Sequence, residues 1–383
     1  MIYNQEQLKI INCENKHILV IASAGSGKTT TIIARIHHII TNKKIQPDKI
    51  LCLSFSRRSS LDIINKTQNL NIKVSTFHKL AYDYIKSIEP IKIIDLISEF
   101  TLKDQKEICL YKNYSQKRKP LLYEEYCSFL KNKNTIDFDD LLKRFYECLL
   151  NKEIIMDYEY IFVDEFQDTN NLQYMILKLL GLNKFILCVG DPDQSIYSFR
   201  GANSKIIDLF ISEYEPTIFS LLTNYRSDIS IISYANIAIS KNIFRYHKNL
   251  FGISKAPGFV KIIKYFSEAE RNKIINDLYY ELITSTKDIA LLYRHNKSAF
   301  SLLEKSDLSF TFKPYIMSIH QAKGLEFDYV FIIDCNDIVM PGYCEMIKDL
   351  EEERRIFYVA LTRAKKGIVL LYDANILITR FIK

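Results

Sequence analysis

Short apolar runs alternate with longer stretches of helical period through much of the chain. Ile18–Ala22, Ile50–Phe55, Ile161–Val163 and Phe185–Val189 are near-continuous apolar segments of strand length. Such runs suit strands buried on both faces of a parallel sheet. Helical stretches such as the apolar-rich segment 32–40 separate them, so the order predicts a doubly wound α/β core. From Lys79 to Asp157 the strand signal disappears. That segment is charged, helical in period and broken at Pro90 and Pro120, which predicts a helical insertion. After Pro216 the strand rhythm returns at Thr217–Leu221, Gly258–Phe266, Ile289–Tyr293, Tyr315–Ile319, Tyr329–Ile333 and Gly367–Tyr372. These runs predict a second α/β core. The expected division is therefore 1–78 and 157–216 for the first core, 79–156 for the insertion and 217–383 for the second core.

The loop after the first strand changes the picture. Ala22–Thr29 reads A-S-A-G-S-G-K-T, a Walker A pattern with alanine at the first glycine position. Strand, glycine loop and helix follow in the order that phosphate binding requires. The backbone N–H groups of Ala24, Gly25, Ser26 and Gly27 and the positive end of the next helix suit phosphate oxygens. Lys28 is placed for the β- and γ-phosphates of ATP, and Thr29 for Mg²⁺, with Thr30 beside them. Downstream, V-D-E-F-Q-D-T (Val163–Thr169) ends a strand in paired acids. Adjacent carboxylates at a strand end are costly without a cation or water. Asp164 is the expected Mg²⁺ ligand, and Glu165 the acceptor of a proton from the attacking water.

Composition sets the limits. The chain has 383 residues, 48% hydrophobic and 25% charged, typical of a soluble globular protein with room for two or three cores. There is no apolar run of about twenty residues, and the N-terminus M-I-Y-N-Q-E-Q lacks the regions of a signal peptide, so no membrane partner is expected. Eight cysteines lie scattered without a C-x-x-C pair and read as reduced thiols of an intracellular protein. The formal charge of +7 fits a polyanionic partner. The densest basic run, Lys112–Lys119, fits a polyanion or a solvated loop equally well.

Further segments carry a family resemblance. Y-N-Q-E-Q (Tyr3–Gln7), L-S-F-S-R-R-S-S (Leu53–Ser60), S-T-F-H (Ser75–His78), I-D-F-D-D-L-L (Ile136–Leu142), V-G-D-P-D-Q-S-I-Y-S-F-R-G-A (Val189–Ala202), N-Y-R-S (Asn224–Ser227), H-Q-A-K-G-L-E-F (His320–Phe327) and E-E-E-R-R-I-F-Y-V-A-L-T-R-A (Glu351–Ala364) occur in one order across the chain. Together with the two phosphate motifs they resemble the UvrD/Rep/PcrA group of superfamily 1 DNA helicases. The resemblance implies two RecA-like cores (1A and 2A, the first carrying a 1B-like insertion) with ATP and Mg²⁺ bound in the cleft between them. It implies Gln7 as the adenine reader, Tyr225 as the ring that stacks on adenine, Gln194 as a γ-phosphate sensor, Arg226 and Arg363 as arginine fingers, and Glu326 as a ribose contact. For single-stranded DNA it implies base stacking on Phe55, Tyr197 and Phe199, with Phe77 and His78 as further candidates and Arg200 on the backbone or a base face.

The chain departs from the family pattern in three places. Tyr293-Arg294 is followed almost at once by Ile316–His320, so the 2B subdomain is expected to be missing, and the insertion in the first core is short. Phe199 stands where tryptophan is usual, and Thr30 where many members have arginine. The sequence stops soon after Ala364, so no RNA-polymerase-binding tail and no nuclease domain are expected. Two functions fit: a helicase moving 3′ to 5′ on single-stranded DNA and opening single/double-strand junctions, or a translocase that depends on a protein partner in place of 2B. Bacterial cytoplasm and a viral replication site fit equally as its location.

Overall fold

The computed structural model describes residues 2–203, 205–246, 248–254, 258–298 and 314–382. The chain divides into two compact units, Met1–Ala22 with Lys28–Leu221, and Ser23–Gly27 with Leu222–Lys383.

The first unit is built on a parallel six-stranded sheet. Its strands are β1 (His17–Ala22), β2 (Ile50–Ser54), β3 (Lys73–Thr76), β4 (Tyr160–Asp164), β5 (Phe185–Gly190) and β6 (Thr217–Leu221), in the order β3-β2-β4-β5-β1-β6. The inner strands β1, β2, β4 and β5 are buried almost throughout, as their unbroken apolar runs require. Ile18, Val20, Cys52, Phe162, Leu187 and Val189 meet Ile32, Ile36 and Ile39 of helix Lys28–Asn42 in one core. Each such side chain contributes about 1.5–3 kcal/mol on burial.

Two expectations change here. Thr217–Leu221, expected to open the second core, pairs in parallel with β1 and forms an edge of the first sheet. Its alternating burial is that of an edge strand, and period alone does not name a strand's partner. Lys73–Thr76, which carried no strand signal, is the other edge, paired with β2.

Four helices, Phe77–Ile88, Leu102–Lys112, Tyr123–Asn132 and Phe138–Leu150, connect β3 to β4. Ile97, Phe100, Ile108, Tyr126 and Leu130 form their own small core. Lys112 is fully buried, with Nζ 2.7 Å from both Asp137 and Asp140, so the densest basic run begins in a buried ion pair. Removing one partner of such a pair costs about 3–5 kcal/mol. Asp137 also caps helix Phe138–Leu150 by accepting from the Asp140 N–H, which accounts for the local chemistry of I-D-F-D-D.

The second unit holds a parallel five-stranded sheet. It comprises β9 (Phe259–Tyr265), β10 (Ile289–Tyr293), β11 (Tyr315–Ser318), β12 (Phe327–Ile332) and β13 (Ala364–Asp373), in the order β11-β10-β12-β13-β9. A separate parallel pair joins β7 (Thr223–Asp228) and β8 (Phe251–Ser254). Tyr265, Ile275, Tyr279, Leu291, Phe331 and Val369 are among the side chains of its core. The α/β class with two parallel-sheet cores is therefore the observed one.

Candidate functional site

The chemistry of the first unit gathers beyond the carboxyl ends of its strands, where parallel α/β sheets bind ligands. Lys28 opens the helix that follows β1, and its Nζ lies 3.5 Å from Glu165 Oε1. Asp164 ends β4 and is buried. Burial, then the neighbouring Glu165, pushes its carboxyl well above the usual carboxylate range. Asp164 Oδ1 accepts the Glu165 N–H at 2.9 Å. Glu165 takes a left-handed backbone at φ 54°, an uncommon conformation for a non-glycine residue that tends to mark functional sites.

Two residues that the motif reading left without a role complete this edge. Gln167 Nε2 donates to Glu165 Oε2 at 2.6 Å, and its Oε1 accepts the Asp191 N–H at 2.8 Å. The Asp191 carboxylate accepts from the Gln194 side-chain amide and from the Asp193 N–H. Gln194, expected as the phosphate sensor, is thus joined to Glu165 through Gln167 and Asp191. The signal was present in the sequence, in the glutamine two residues beyond Glu165 and the aspartate three before Gln194.

The glycine loop itself groups with the second unit. Gly25 and Gly27 have φ of +65° and +78°, a region open to glycine at low cost. A Cβ on Gly25 would lie 2.7 Å from Arg226 Cβ and 2.8 Å from Asn224 Nδ2. Asn224 Nδ2 donates to the Ala24 carbonyl at 2.7 Å, and the Tyr225 N–H to the Gly25 carbonyl at 2.9 Å. Ser26 Oγ donates to the Ser23 carbonyl, so both serines shape the loop. The Tyr225 ring is about half exposed, as a stacking ring must be.

Arg226 Nε donates to Glu326 Oε2 at 2.8 Å, and its Nη1 to the Thr362 carbonyl at 3.2 Å. Lys365 Nζ lies 3.4 Å from the other oxygen of Glu326. Partial burial raises the Glu326 pKa, but Arg226 and Lys365 outweigh it and hold the carboxyl below its ordinary value. Glu326, expected at the ribose, engages these two cations here. Arg363 is buried. Its Nε donates to Val359 O and its Nη1 to Leu325 O, so it braces the segment before β12. Arg226 is the more accessible of the two expected fingers.

The single-strand candidates separate into two groups. Phe55 follows β2 and stacks on Tyr197, with centroids 5.0 Å apart. Tyr197 meets Phe199 at 5.9 Å, and the Arg200 guanidinium lies 5.7 and 5.6 Å from those two rings. Phe199 and Arg200 are exposed. Phe77, in contrast, is buried at 3% exposure and belongs to the core, which corrects its candidacy as a DNA contact. His78 meets the Phe138 ring edge-on at 5.6 Å. Burial, then the charge of Arg200, lowers its pKa to about 4, so it offers a phosphate no charge near neutral pH.

Gln7 is buried and forms a capping box with Asn4: its Oε1 accepts the Asn4 N–H, and its own N–H donates to Asn4 Oδ1. The cap fixes the side chain and commits its carbonyl oxygen. Thr29 and Thr30 lie half-buried in the first turn of helix Lys28–Asn42, which carries no acidic residue there. These residues fit a phosphate chain and a divalent cation. Two glycines take backbone forms that let N–H groups approach closely, the first turn of the helix carries no acidic residue, and a buried carboxylate lies next to a second one. Among the described residues no cluster of three or more His, Cys, Asp or Glu side chains forms a metal site. A cation here would therefore draw on Asp164, Thr29 and the phosphates themselves. No described helix is long and apolar enough to cross a membrane.

Comparison with known proteins gives the family. The model of the UvrD/REP helicase N-terminal domain matches residues 3–120 and 96–215, and that of the UvrD-like helicase C-terminal domain matches 303–375. The ATP-dependent DNA helicase Rep of Buchnera aphidicola (subsp. Acyrthosiphon pisum) is 32% identical over 366 residues, covering 80% of this chain and 56% of the relative. The putative ATP-dependent DNA helicase YjcD of Bacillus subtilis is 29% identical over 381 residues, covering 84% of this chain and 50% of the relative. A probable DNA helicase of Mycoplasma pneumoniae is 28% identical over 438 residues, covering 96% and 83%. The chain spans about half the length of the Rep relatives it matches.

Proposed function

The chain belongs to the UvrD/Rep helicase family, and we propose that it is an ATP-dependent motor that moves 3′ to 5′ on single-stranded DNA and unwinds duplex ahead of it. The observation that carries this reading is the content of one sheet edge. The Lys28–Glu165 pair and the Phe55–Tyr197–Phe199–Arg200 cluster follow strands of the same sheet, and the Gln194 loop runs from one to the other.

Mg²⁺·ATP supplies the phosphoryl group and the free energy of its hydrolysis. In the proposed mechanism Lys28 and the amides of Ala24–Gly27 hold the phosphates, and Thr29 and Asp164 hold the cation. Glu165 is aimed by Gln167 and accepts a proton from the attacking water. Gln194 reports on the terminal phosphate. Arg226 neutralises charge on the transferring group, a role worth about 10³–10⁵ in rate for arginine fingers. Arg363 shares it once its bonds to the Val359 and Leu325 carbonyls open. Tyr225 stacks on the adenine, and Gln7 reads it with its amide N–H₂. Phe55, Tyr197 and Phe199 stack bases without regard to sequence, and Arg200 follows the backbone.

Strand separation and its direction are tested with duplexes bearing a 3′ tail, a 5′ tail or no tail. The proposal expects ATP-driven unwinding of the 3′-tailed duplex alone, abolished by Lys28→Ala. Hydrolysis stimulated by DNA without unwinding of any duplex would replace the helicase with a bare translocase that needs a partner.

A further inference from the structure

We propose that Gln167 is the positioning residue that couples the nucleotide site to the single-strand site. The inference rests on the motor reading above and adds the route by which one site senses the other.

Gln167 is buried, at 2% exposure, and two of its side-chain bonds join Glu165 to the loop that follows β5. Nε2 donates to Glu165 Oε2 at 2.6 Å and to Asp168 Oδ2 at 3.2 Å; Oε1 accepts the Asp191 N–H at 2.8 Å. The donor end faces carboxylates and the acceptor end faces an N–H, so the orientation of the amide is determined by its partners. Its backbone continues the connection: the Gln167 carbonyl accepts from Ser195 Oγ at 3.2 Å. Ser195 follows Gln194 and precedes Tyr197, whose ring carries the aromatic cluster. One residue therefore holds the water-activating carboxylate, the start of the sensor loop and the stem of the stacking cluster.

The neighbouring glycine fits the same purpose. A Cβ on Gly190 would lie 2.8 Å from Gln167 Oε1. Gly190 has an ordinary backbone, so its lack of a side chain serves the close approach of this amide. A displacement of Glu165 on hydrolysis would pull on Gln167 and through it on residues 191–197. Buried networks of this kind are stronger together than their bonds taken singly, and double-mutant cycles are the way to separate them.

The experiment uses the full chain and three variants: Gln167→Ala, Gly190→Ala and Gln194→Ala, with the Gln167/Gln194 double variant. The first readout is binding alone. The affinity for a fluorescent oligothymidylate is measured with and without a non-hydrolysable ATP analogue and Mg²⁺. Wild type is expected to change its affinity severalfold on adding the analogue. Gln167→Ala and Gly190→Ala are expected to lose at least three-quarters of that change on a logarithmic scale. Each ligand alone should still bind them within about threefold of wild type, and their melting temperatures should stay close to it. The second readout is kcat for DNA-stimulated hydrolysis. Gln167→Ala is expected to lower it about 10–100-fold, as removal of an outer-shell partner commonly does, with KM for ATP nearly unchanged. In the Gln194→Ala background the same substitution should cost less than a third of that factor. A Gln167→Ala protein that keeps the full analogue-induced change in DNA affinity overturns the proposal, as does strict additivity with Gln194→Ala. A wild-type protein with neither that change nor DNA-stimulated hydrolysis overturns the motor reading as well, so the two failures are told apart.

Discussion

Arg226 donates from Nε to Glu326 Oε2 at 2.8 Å, and Glu326 holds Lys365 with its other oxygen. The carboxylate therefore aims a guanidinium that also donates to the Thr362 carbonyl. A ribose contact at Glu326 and an Arg226 holder make different kinetic predictions. If Glu326 aims the finger, Glu326→Gln lowers kcat for DNA-stimulated hydrolysis by about tenfold, the size of a lost charge-assisted hydrogen bond, and leaves KM for ATP within about twofold. A rise in KM at unchanged kcat would return Glu326 to the ribose.

Phe199 and Phe77 separate function from packing. Phe199 is 37% exposed and Phe77 is 3% exposed. Phe199→Ala is expected to weaken oligothymidylate binding by about 1–3 kcal/mol with little change in the denaturation midpoint. Phe77→Ala is expected to destabilise the fold by about 3–5 kcal/mol. Arg200→Ala should also flatten the dependence of log affinity on log salt by about 0.7, the single-strand increment for one phosphate contact. Fluorescence titrations at several salt concentrations, with urea denaturation alongside, check all three. The reverse ranking of Phe199 and Phe77 would exchange their roles.

His78 gives a prediction in pH. Its folded pKa is lowered to about 4, below the unfolded value of about 6.5. Between these values the unfolded chain binds a proton that the folded chain refuses, so stability falls as pH drops from about 6.5 toward 4. With these two values the effect at pH 5 is about 2 kcal/mol. His78→Leu should lose less stability than wild type between pH 7 and pH 5 in urea denaturation. An unchanged pH slope would show that His78 titrates normally in the folded protein.

The inner strands were legible because a parallel strand buried on both faces has to be apolar throughout. β1, β2, β4 and β5 satisfy that rule. The edges were less so. Lys73–Thr76 is only four residues long, with Lys73 and Val74 partly exposed and two buried hydroxyl residues, Ser75 and Thr76, so it shows neither an apolar run nor an alternation, and Thr223–Asp228 is polar because its side chains form hydrogen bonds: Asn224 to the Ala24 carbonyl, Arg226 to Glu326 and Ser227 to the Ala364 carbonyl. Thr217–Leu221 was visible as a strand, but its place beside β1 depends on tertiary pairing that no local pattern carries. The same holds at the candidate site. Motif order brought Lys28 and Glu165, and Phe55 and Tyr197, into one account, and the structure places the members of each pair in contact. Motif position could not distinguish Phe77, which packs inward, from Phe55, which does not. Nor could it show that Arg363 donates to the Val359 and Leu325 carbonyls and to the Thr362 hydroxyl, or that Gln167 joins Glu165 to Asp191.

The most direct test of the central claim is steady-state phosphate release titrated with single-stranded DNA, for wild type, Lys28→Ala and Phe199→Ala. The account predicts hydrolysis in wild type that rises at least tenfold with DNA. It predicts none above background in Lys28→Ala, and in Phe199→Ala a curve displaced to higher DNA concentration. Equal phosphate release by wild type and Lys28→Ala, or release indifferent to DNA, would contradict it.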